Sequence, residues 1–145
     1  MKELRILLVD DDEDDREFFA EALKAIQIKT KLYLAKHGQE GLEVLSSLND
    51  FPDLIFLDLN MPIMNGLQCL EKIRAMEKGQ NAIIAIYSTS ASNRDIEATF
   101  LKGANVYIKK PLCFEELKSA LKQVIKTNWD VQMEHLGREN YLLKL

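Results

Sequence analysis

A chain of 145 residues that is 47% hydrophobic and 29% charged is long enough for one globular domain with a packed core, and it excludes both a second full domain and a disordered chain. The net charge of −4 at pH 7 and the scattered Lys and Arg residues argue against a nucleic-acid partner. The first apolar run is too short for a signal peptide or a membrane span, so we expect a cytoplasmic protein with no membrane partner.

Short apolar runs alternate along the chain with amphipathic stretches, a pattern typical of parallel strands joined by crossover helices. Strands are predicted at residues 5–9, 32–35, 53–57, 82–87 and 106–109. Each precedes a stretch with apolar residues at helical spacing, such as Phe19, Leu23 and Ile26 after the first strand. Because such connections are right-handed, the helices cover both faces of the sheet. The sequence therefore predicts a doubly wound (βα)5 α/β fold with a five-stranded parallel sheet.

Polar side chains follow the predicted strands at the edge where the carboxyl ends meet. Asp10 and Asp11 follow the first strand, Asp58 the third, Ser88 the fourth and Lys110 the fifth. Ligands of open α/β sheets bind beyond this edge. An acidic run alone could be a solvated turn, but three aspartates brought together repel one another unless a proton or a cation compensates. We therefore expect a site for Mg²⁺, which prefers carboxylate and carbonyl oxygens.

The same residues suit the transfer of a phosphoryl group. A carboxylate oxygen of Asp58 can attack phosphorus, while Lys110 offers its charge to one phosphoryl oxygen and the Ser88 hydroxyl donates to another. The sequence has neither a Walker-type phosphate-binding loop nor a kinase glycine-rich loop, so we expect the phosphoryl group to come from elsewhere. These features predict Asp58 as the phosphoacceptor.

Four motifs in order resemble one family. They are Leu7-Leu8-Val9-Asp10-Asp11, Asp58-Leu59-Asn60-Met61-Pro62 followed by Gly66, then Ser88, then Lys110-Pro111. With this order and spacing, the chain resembles the receiver domains of bacterial response regulators over roughly residues 4 to 126. The resemblance implies the flavodoxin-like receiver fold with strand order 2-1-3-4-5.

The resemblance also divides the chain. Residues 1–126 are expected to form the receiver (response regulatory) domain, and residues 127–145 a C-terminal tail that is too short for an effector domain. The tail is too apolar for a free linker, which favours packing back on the domain. Its apolar residues are Trp129, Val131, Met133, Leu136, Tyr141, Leu142 and Leu143.

Roles around the metal follow from the resemblance as well. It implies that Asp11 and Asp58 bind Mg²⁺ directly, that Asn60 contributes its backbone carbonyl and that Asp10 binds through a water. Asp58 is the implied phosphorylation site, in agreement with the reasoning from the strand ends. Lys110 is the implied partner of the phosphoryl group.

Ser88 and Tyr107 are the implied switch residues. Ser88 occupies the position of the hydroxyl that follows the phosphoryl group, and Tyr107 lies at the aromatic switch position of the fifth strand. A tyrosine in a strand more often packs with its hydroxyl at the surface, so only the resemblance favours the switch. The resemblance further implies a cis Lys110–Pro111 peptide bond, which would aim the lysine into the site.

Together these features predict a stand-alone response regulator of two-component signalling. A histidine kinase or histidine phosphotransfer protein is the expected donor. The face of the fourth helix, fifth strand and fifth helix is expected to change its affinity for a downstream protein that the sequence does not identify. A phosphorylation-dependent homodimer through this face is a further expectation. We do not expect an enzyme, since the chemistry is limited to self-assisted phosphoryl transfer and autodephosphorylation.

Two other functions stay open. A phosphohydrolase with an aspartyl-phosphate intermediate, of the haloacid-dehalogenase type, needs a second acid two residues after the nucleophile, where this chain has Asn60. A receiver-like docking platform that works without phosphorylation would need none of the five polar residues at the strand ends. Because all five are present, the sequence favours the phosphorylated switch.

Overall fold

The computed structural model describes residues 3–144 as alternating strands and helices. The strands are β1 (Leu4–Val9), β2 (Thr30–Ala35), β3 (Leu54–Leu57), β4 (Ile83–Ser88) and β5 (Val106–Lys109). The helices are α1 (Glu13–Ala25), α2 (Gly38–Ser47), α3 (Gly66–Ala75), α4 (Asn93–Leu101), α5 (Phe114–Lys126), α6 (Trp129–Glu134) and α7 (Arg138–Tyr141), with a 3₁₀ turn at Lys78–Asn81. The strands pair in parallel in the order β2-β1-β3-β4-β5, which confirms the predicted fold and strand order.

The sheet is buried on both faces because successive strand residues point to opposite sides. In β1, Leu7 and Val9 belong to a core with residues of α2, α3 and α4. Ile6 and Leu8 belong to a second core with residues of α1 and α5. All residues of β3 are buried, which explains its uninterrupted apolar sequence. The molecule therefore has three layers and two apolar cores.

Four strands begin one or two residues away from their predicted starts, β1 at Leu4, β2 at Thr30, β3 at Leu54 and β4 at Ile83, and β4 ends one residue later than predicted. At the start of β3, the Asp53 carboxylate accepts a hydrogen bond of 2.8 Å from the Arg5 amide, so a side chain takes the place of a backbone acceptor there. The Asp53 amide donates to the Arg5 carbonyl at 2.8 Å. β4 extends to Ser88, which pairs with Lys109 of β5. The sheet therefore fixes the backbone of Ser88 at its carboxyl edge.

Loop geometry at this edge depends on two local features. At the start of α1, the Asp12 side chain accepts a hydrogen bond of 3.0 Å from the Asp15 amide, which caps the helix. At the start of α3, a Cβ on Gly66 would overlap the carbonyl oxygen of Asp58. Only glycine allows this approach, so Gly66 lets α3 begin directly beside the Asp58 loop.

The tail folds against the domain through α6 and α7. The Trp129 indole donates a hydrogen bond of 3.1 Å to the Val124 carbonyl at the end of α5. Tyr141 of α7 is fully buried, and its hydroxyl donates to Thr99 Oγ1 of α4 at 2.7 Å. Within residues 3–144, no helix is both long enough and apolar enough to cross a membrane.

Arg74 connects loops at the opposite, amino-terminal edge of the sheet. From α3, its guanidinium donates to the carbonyl oxygens of Gly79 and Ala82 at 2.7 Å and of Gly103 at 2.6 Å. It also donates to Asn105 Oδ1 at 2.8 Å. Burial lowers the pKa of Arg74, but a guanidinium stays protonated. One side chain thus joins α3 to the segments that lead into β4 and β5.

Replacing Arg74 with lysine should lower the free energy of unfolding by about 2 kcal/mol, because an ammonium cannot reach four spread acceptors and leaves carbonyl oxygens unpaired. Urea unfolding followed by circular dichroism measures the difference. Arg94→Lys, at an exposed position of α4, is the matched control and should change the free energy by less than about 0.5 kcal/mol. Equal stability of the two variants would contradict the role of Arg74.

Candidate functional site

The order of the strands brings their polar ends to one edge. β1 and β3 are neighbours, and the Asp58 amide donates to the Val9 carbonyl at 3.0 Å, which places Asp10 and Asp58 side by side. Across β4 and β5, the Lys110 amide donates to the Ser88 carbonyl at 2.8 Å. The structure therefore assembles at one edge residues that are distant in sequence.

Three carboxylates form a cluster at this edge. One oxygen each of Asp10, Asp11 and Asp58 lies within 4.8 Å of the other two. Asp10 and Asp58 are 0% and 5% exposed, whereas Asp11 is exposed. Asp10 Oδ2 is buried and lies 2.8 Å from the Lys110 ammonium. Three carboxylates that bring hard oxygen donors together at one edge fit Mg²⁺. Asn60 lies exposed two residues after Asp58, and its carbonyl as a ligand stays a prediction.

Lys110 supplies the positive charge. Its side chain is 8% exposed, and Nζ lies 2.8 Å from Asp10 Oδ2, 2.8 Å from Asp15 Oδ2 and 3.5 Å from Asp58 Oδ2. Burial by itself lowers the pKa of Lys110, but the contacts with Asp10 and Asp15 outweigh it, so the pKa is raised. The ammonium is therefore charged and held over the cluster.

Burial controls the protonation of two of the aspartates. It raises the pKa of Asp58 to about 7; Lys110 opposes this rise, while the charges of Asp10 and Asp11 add to it. Burial also raises the pKa of Asp10, against the attraction of Lys110. The pocket thus holds more potential negative charge than one lysine balances, and a divalent cation would stabilise the ionised carboxylates.

Ser88 and Tyr107 are linked through Ser90. The Ser88 hydroxyl oxygen accepts a hydrogen bond of 3.2 Å from the Ser90 amide. The Tyr107 hydroxyl donates to the Ser90 carbonyl at 2.7 Å. Both Ser88 and Tyr107 are fully buried, so the Tyr107 hydroxyl is not at the surface. A short backbone segment therefore connects the two predicted switch residues.

Two details of the site differ from the sequence analysis. The described residues contain no cis peptide bond, so Lys110–Pro111 is trans, the isomer favoured for most X–Pro bonds. Lys110 nevertheless reaches the cluster. Asp15 was not predicted as a site residue, although its oxygen touches Lys110. The acidic run after β1 was the available signal, because the cap at Asp12 fixes Asp15 in the first turn of α1.

Asp58→Asn should stabilise the metal-free protein at pH 8 by about 1–3 kcal/mol, since each unit of pKa shift corresponds to about 1.4 kcal/mol and the full shift is an upper bound. The folded-state pKa of about 7 is above the ordinary value of 3.8. The folded state therefore favours the protonated form of Asp58, and ionisation of Asp58 opposes folding. The contribution of Asp58 to the free energy of unfolding is highest below about pH 4 and decreases as the pH rises through about 7.

Urea unfolding in the presence of a chelator measures this effect. The advantage of Asp58→Asn should shrink as the pH falls from 7 towards 4. Asp14→Asn, at an exposed position of α1, is the control and should change stability little at either pH. If Asp58→Asn is less stable than the wild type at pH 8, burial is not the main influence on the pKa of Asp58.

Curated proteins similar to this chain include signalling proteins. A chemotaxis protein CheY homolog of Campylobacter jejuni is 32% identical over 124 residues, which cover 86% of this chain and 94% of the relative. The nitrate/nitrite response regulator protein NarL of Escherichia coli is 38% identical over 118 residues, or 81% of this chain. This chain spans about half of NarL, at 53% of its length.

Solved structures share the fold. The Mn(2+)-bound form of response regulator Rcp1 has a TM-score of 0.77 at 25% identity, covering 86% of this chain and 96% of that chain. The phosphorylated cyanobacterial phytochrome response regulator RcpA has a TM-score of 0.78 at 24% identity, covering 94% and 98%. The family model described as the response regulator receiver domain matches residues 6–122. This chain therefore belongs to the family of response regulator receiver domains.

Proposed function

We propose that this chain is the receiver of a cytoplasmic response regulator in which Asp58 accepts a phosphoryl group from a histidine kinase or a histidine phosphotransfer protein. The observation that carries the proposal is the position of the Asp58 carboxylate. It is buried within the cluster of Asp10 and Asp11 and lies 3.5 Å from the Lys110 ammonium. A carboxylate so placed adjoins both a cation site and a fixed positive charge, which suits phosphoryl transfer.

In the proposed reaction, an Asp58 carboxylate oxygen forms a bond to phosphorus while the phosphorus–nitrogen bond to the donor histidine breaks. The electron pair of that bond leaves with the imidazole. Mg²⁺, when bound, supplies charge neutralisation for the phosphoryl oxygens. Asp10 and Asp15 hold the Lys110 ammonium at 2.8 Å before any phosphoryl group arrives. The Ser88 hydroxyl can donate to a further phosphoryl oxygen.

Exposed apolar side chains near this edge support a protein as the phosphoryl donor. Ile63, in the loop after β3, is 96% exposed, and Leu112, in the loop after β5, is 99% exposed. A protein donor that reaches Asp58 between these loops would remove their apolar side chains from water. We therefore propose a signalling module without turnover of a separate substrate.

The proposed output surface is the face of α4, β5 and α5. Tyr107 of β5 is bonded to Ser90, and Ser90 is bonded to Ser88, so a change at the Ser88 hydroxyl can reach this face. A downstream protein or a second copy would bind this face beside the docked tail after phosphorylation. The tail already covers part of the face, since the Tyr141 ring lies against Phe100 of α4 and Tyr107 of β5.

Incubation with acetyl phosphate and Mg²⁺ should add the mass of one phosphoryl group to the wild-type protein. The adduct should be absent without Mg²⁺ and in Asp58→Asn, because the variant lacks the attacking oxygen. Intact-protein mass spectrometry measures it, and Asp14→Asn should retain the adduct. If the wild type forms neither an adduct nor a complex with beryllofluoride and Mg²⁺, the phosphorylation-independent docking platform becomes the better account.

Ser88→Ala should slow phosphorylation by about tenfold. It should also break the connection between Asp58 and Tyr107, because the Ser90 amide loses the hydroxyl oxygen of Ser88 as its acceptor. Nuclear magnetic resonance of the Tyr107 ring with and without saturating beryllofluoride measures the coupling. The change in chemical shift should largely disappear in Ser88→Ala and persist in Ser88→Thr, which keeps a hydroxyl. Equal changes in the two variants would reject the role of Ser88.

A further inference from the structure

The tail places a tyrosine in the core beside the proposed output face. Tyr141 is 0% exposed, and its hydroxyl donates to Thr99 Oγ1 at 2.7 Å. Its ring centroid lies 5.2 Å from that of Phe100 and 6.1 Å from that of Tyr107. Burial raises the pKa of Tyr141. The side chain is thus a packed, hydrogen-bonded part of the interior between α4 and β5.

Backbone contacts hold the same part of the tail on β5. Leu142 forms an isolated parallel bridge with Tyr107, and the Leu143 amide donates to the Tyr107 carbonyl at 2.8 Å. At the exposed rim, Arg138 Nε lies 2.8 Å from Glu97 Oε2 of α4. The tail therefore docks through a ring, a backbone hydrogen bond and an ion pair.

Tyr107 joins this docked tail to the Asp58 site. Its hydroxyl donates to the Ser90 carbonyl, its ring faces Tyr141 and its carbonyl accepts from Leu143. Ser90 in turn bonds Ser88. In this one conformation, the tail is docked, Tyr107 is buried, and the Lys110 ammonium lies 3.5 Å from the Asp58 carboxylate.

We propose that Tyr141 is a positioning residue: the docked tail holds Tyr107 against Ser90, so that tail docking and occupation of Asp58 by a phosphoryl group stabilise each other. The inference deepens the proposed function and rests on it. A conformation in which Ser88, Ser90 and Tyr107 are already connected costs less free energy in reorganisation when the phosphoryl group binds. Coupling between two sites is reciprocal. Occupation of Asp58 must therefore favour tail docking by the same factor by which tail docking favours occupation of Asp58.

Amide hydrogen exchange in the wild-type chain of residues 1–145 tests the coupling at the tail. Beryllofluoride with Mg²⁺, an analogue of the phosphoryl group, should slow exchange of the Leu143 amide by about tenfold. The Ile84 amide, bonded to Asn105 Oδ1 in the core, serves as the reference for a general change in stability. Unchanged or faster exchange at Leu143, relative to Ile84, would overturn the proposal.

The Asp58 end of the coupling is tested by affinity. Tyr141→Ala in the full chain should weaken beryllofluoride binding by the same factor of about ten. Tyr141→Phe keeps the ring and loses only the hydrogen bond to Thr99. Its affinity for beryllofluoride should lie between those of the wild type and Tyr141→Ala. In the background of Tyr107→Phe, which removes the bond to Ser90, Tyr141→Ala should lose most of its effect, because the connection is already broken. An undiminished effect in that background would reject Tyr107 as the link.

The outcomes separate this inference from the proposed function. If the wild type forms no phosphoryl adduct and binds no beryllofluoride, both fail. If Asp58 is occupied but Leu143 exchange does not slow, only the role of Tyr141 fails. If Tyr141→Ala does not fold, the hydrogen exchange of the wild type and the beryllofluoride affinity of Tyr141→Phe still test the role of Tyr141.

Discussion

The imbalance between buried carboxylates and a single lysine governs this molecule. Asp10 and Asp58 are removed from solvent and share the charge of Lys110. Such an arrangement is costly in the folded state unless a proton or a further cation joins it. The fold supports it by anchoring each group on a strand end between two apolar cores. This electrostatic imbalance is the basis of the proposed response of the site to a metal ion and a phosphoryl group.

Much of this arrangement was predictable because it follows from the strand ends. The apolar run of β3 identifies a central strand, and residues that follow neighbouring parallel strands must meet at one edge. The cluster of Asp10, Asp11 and Asp58 is a consequence of that topology. Gly66 belongs to the second of the four motifs, and the structure gives the reason, since a Cβ there would overlap the Asp58 carbonyl oxygen.

What the sequence did not show depends on long-range contacts and very short elements. Asp15 and Lys110 are separated by 95 positions, and the charge of an acidic turn does not reveal which carboxylate meets the lysine. Helices α6 and α7 have only six and four residues, too few for a helical period to appear. Ser90 acts through its backbone amide and carbonyl, which every residue type except proline carries.

The pairing of Leu142 and Leu143 with Tyr107 has a consequence for solubility. β5 is the last strand on its side of the sheet, and an outermost strand exposes backbone groups on which another chain can assemble. The Leu143 amide occupies the Tyr107 carbonyl on that side. Loss of the tail would therefore uncover a template for intermolecular β-aggregation, so the segment that docks on β5 also keeps neighbouring molecules apart.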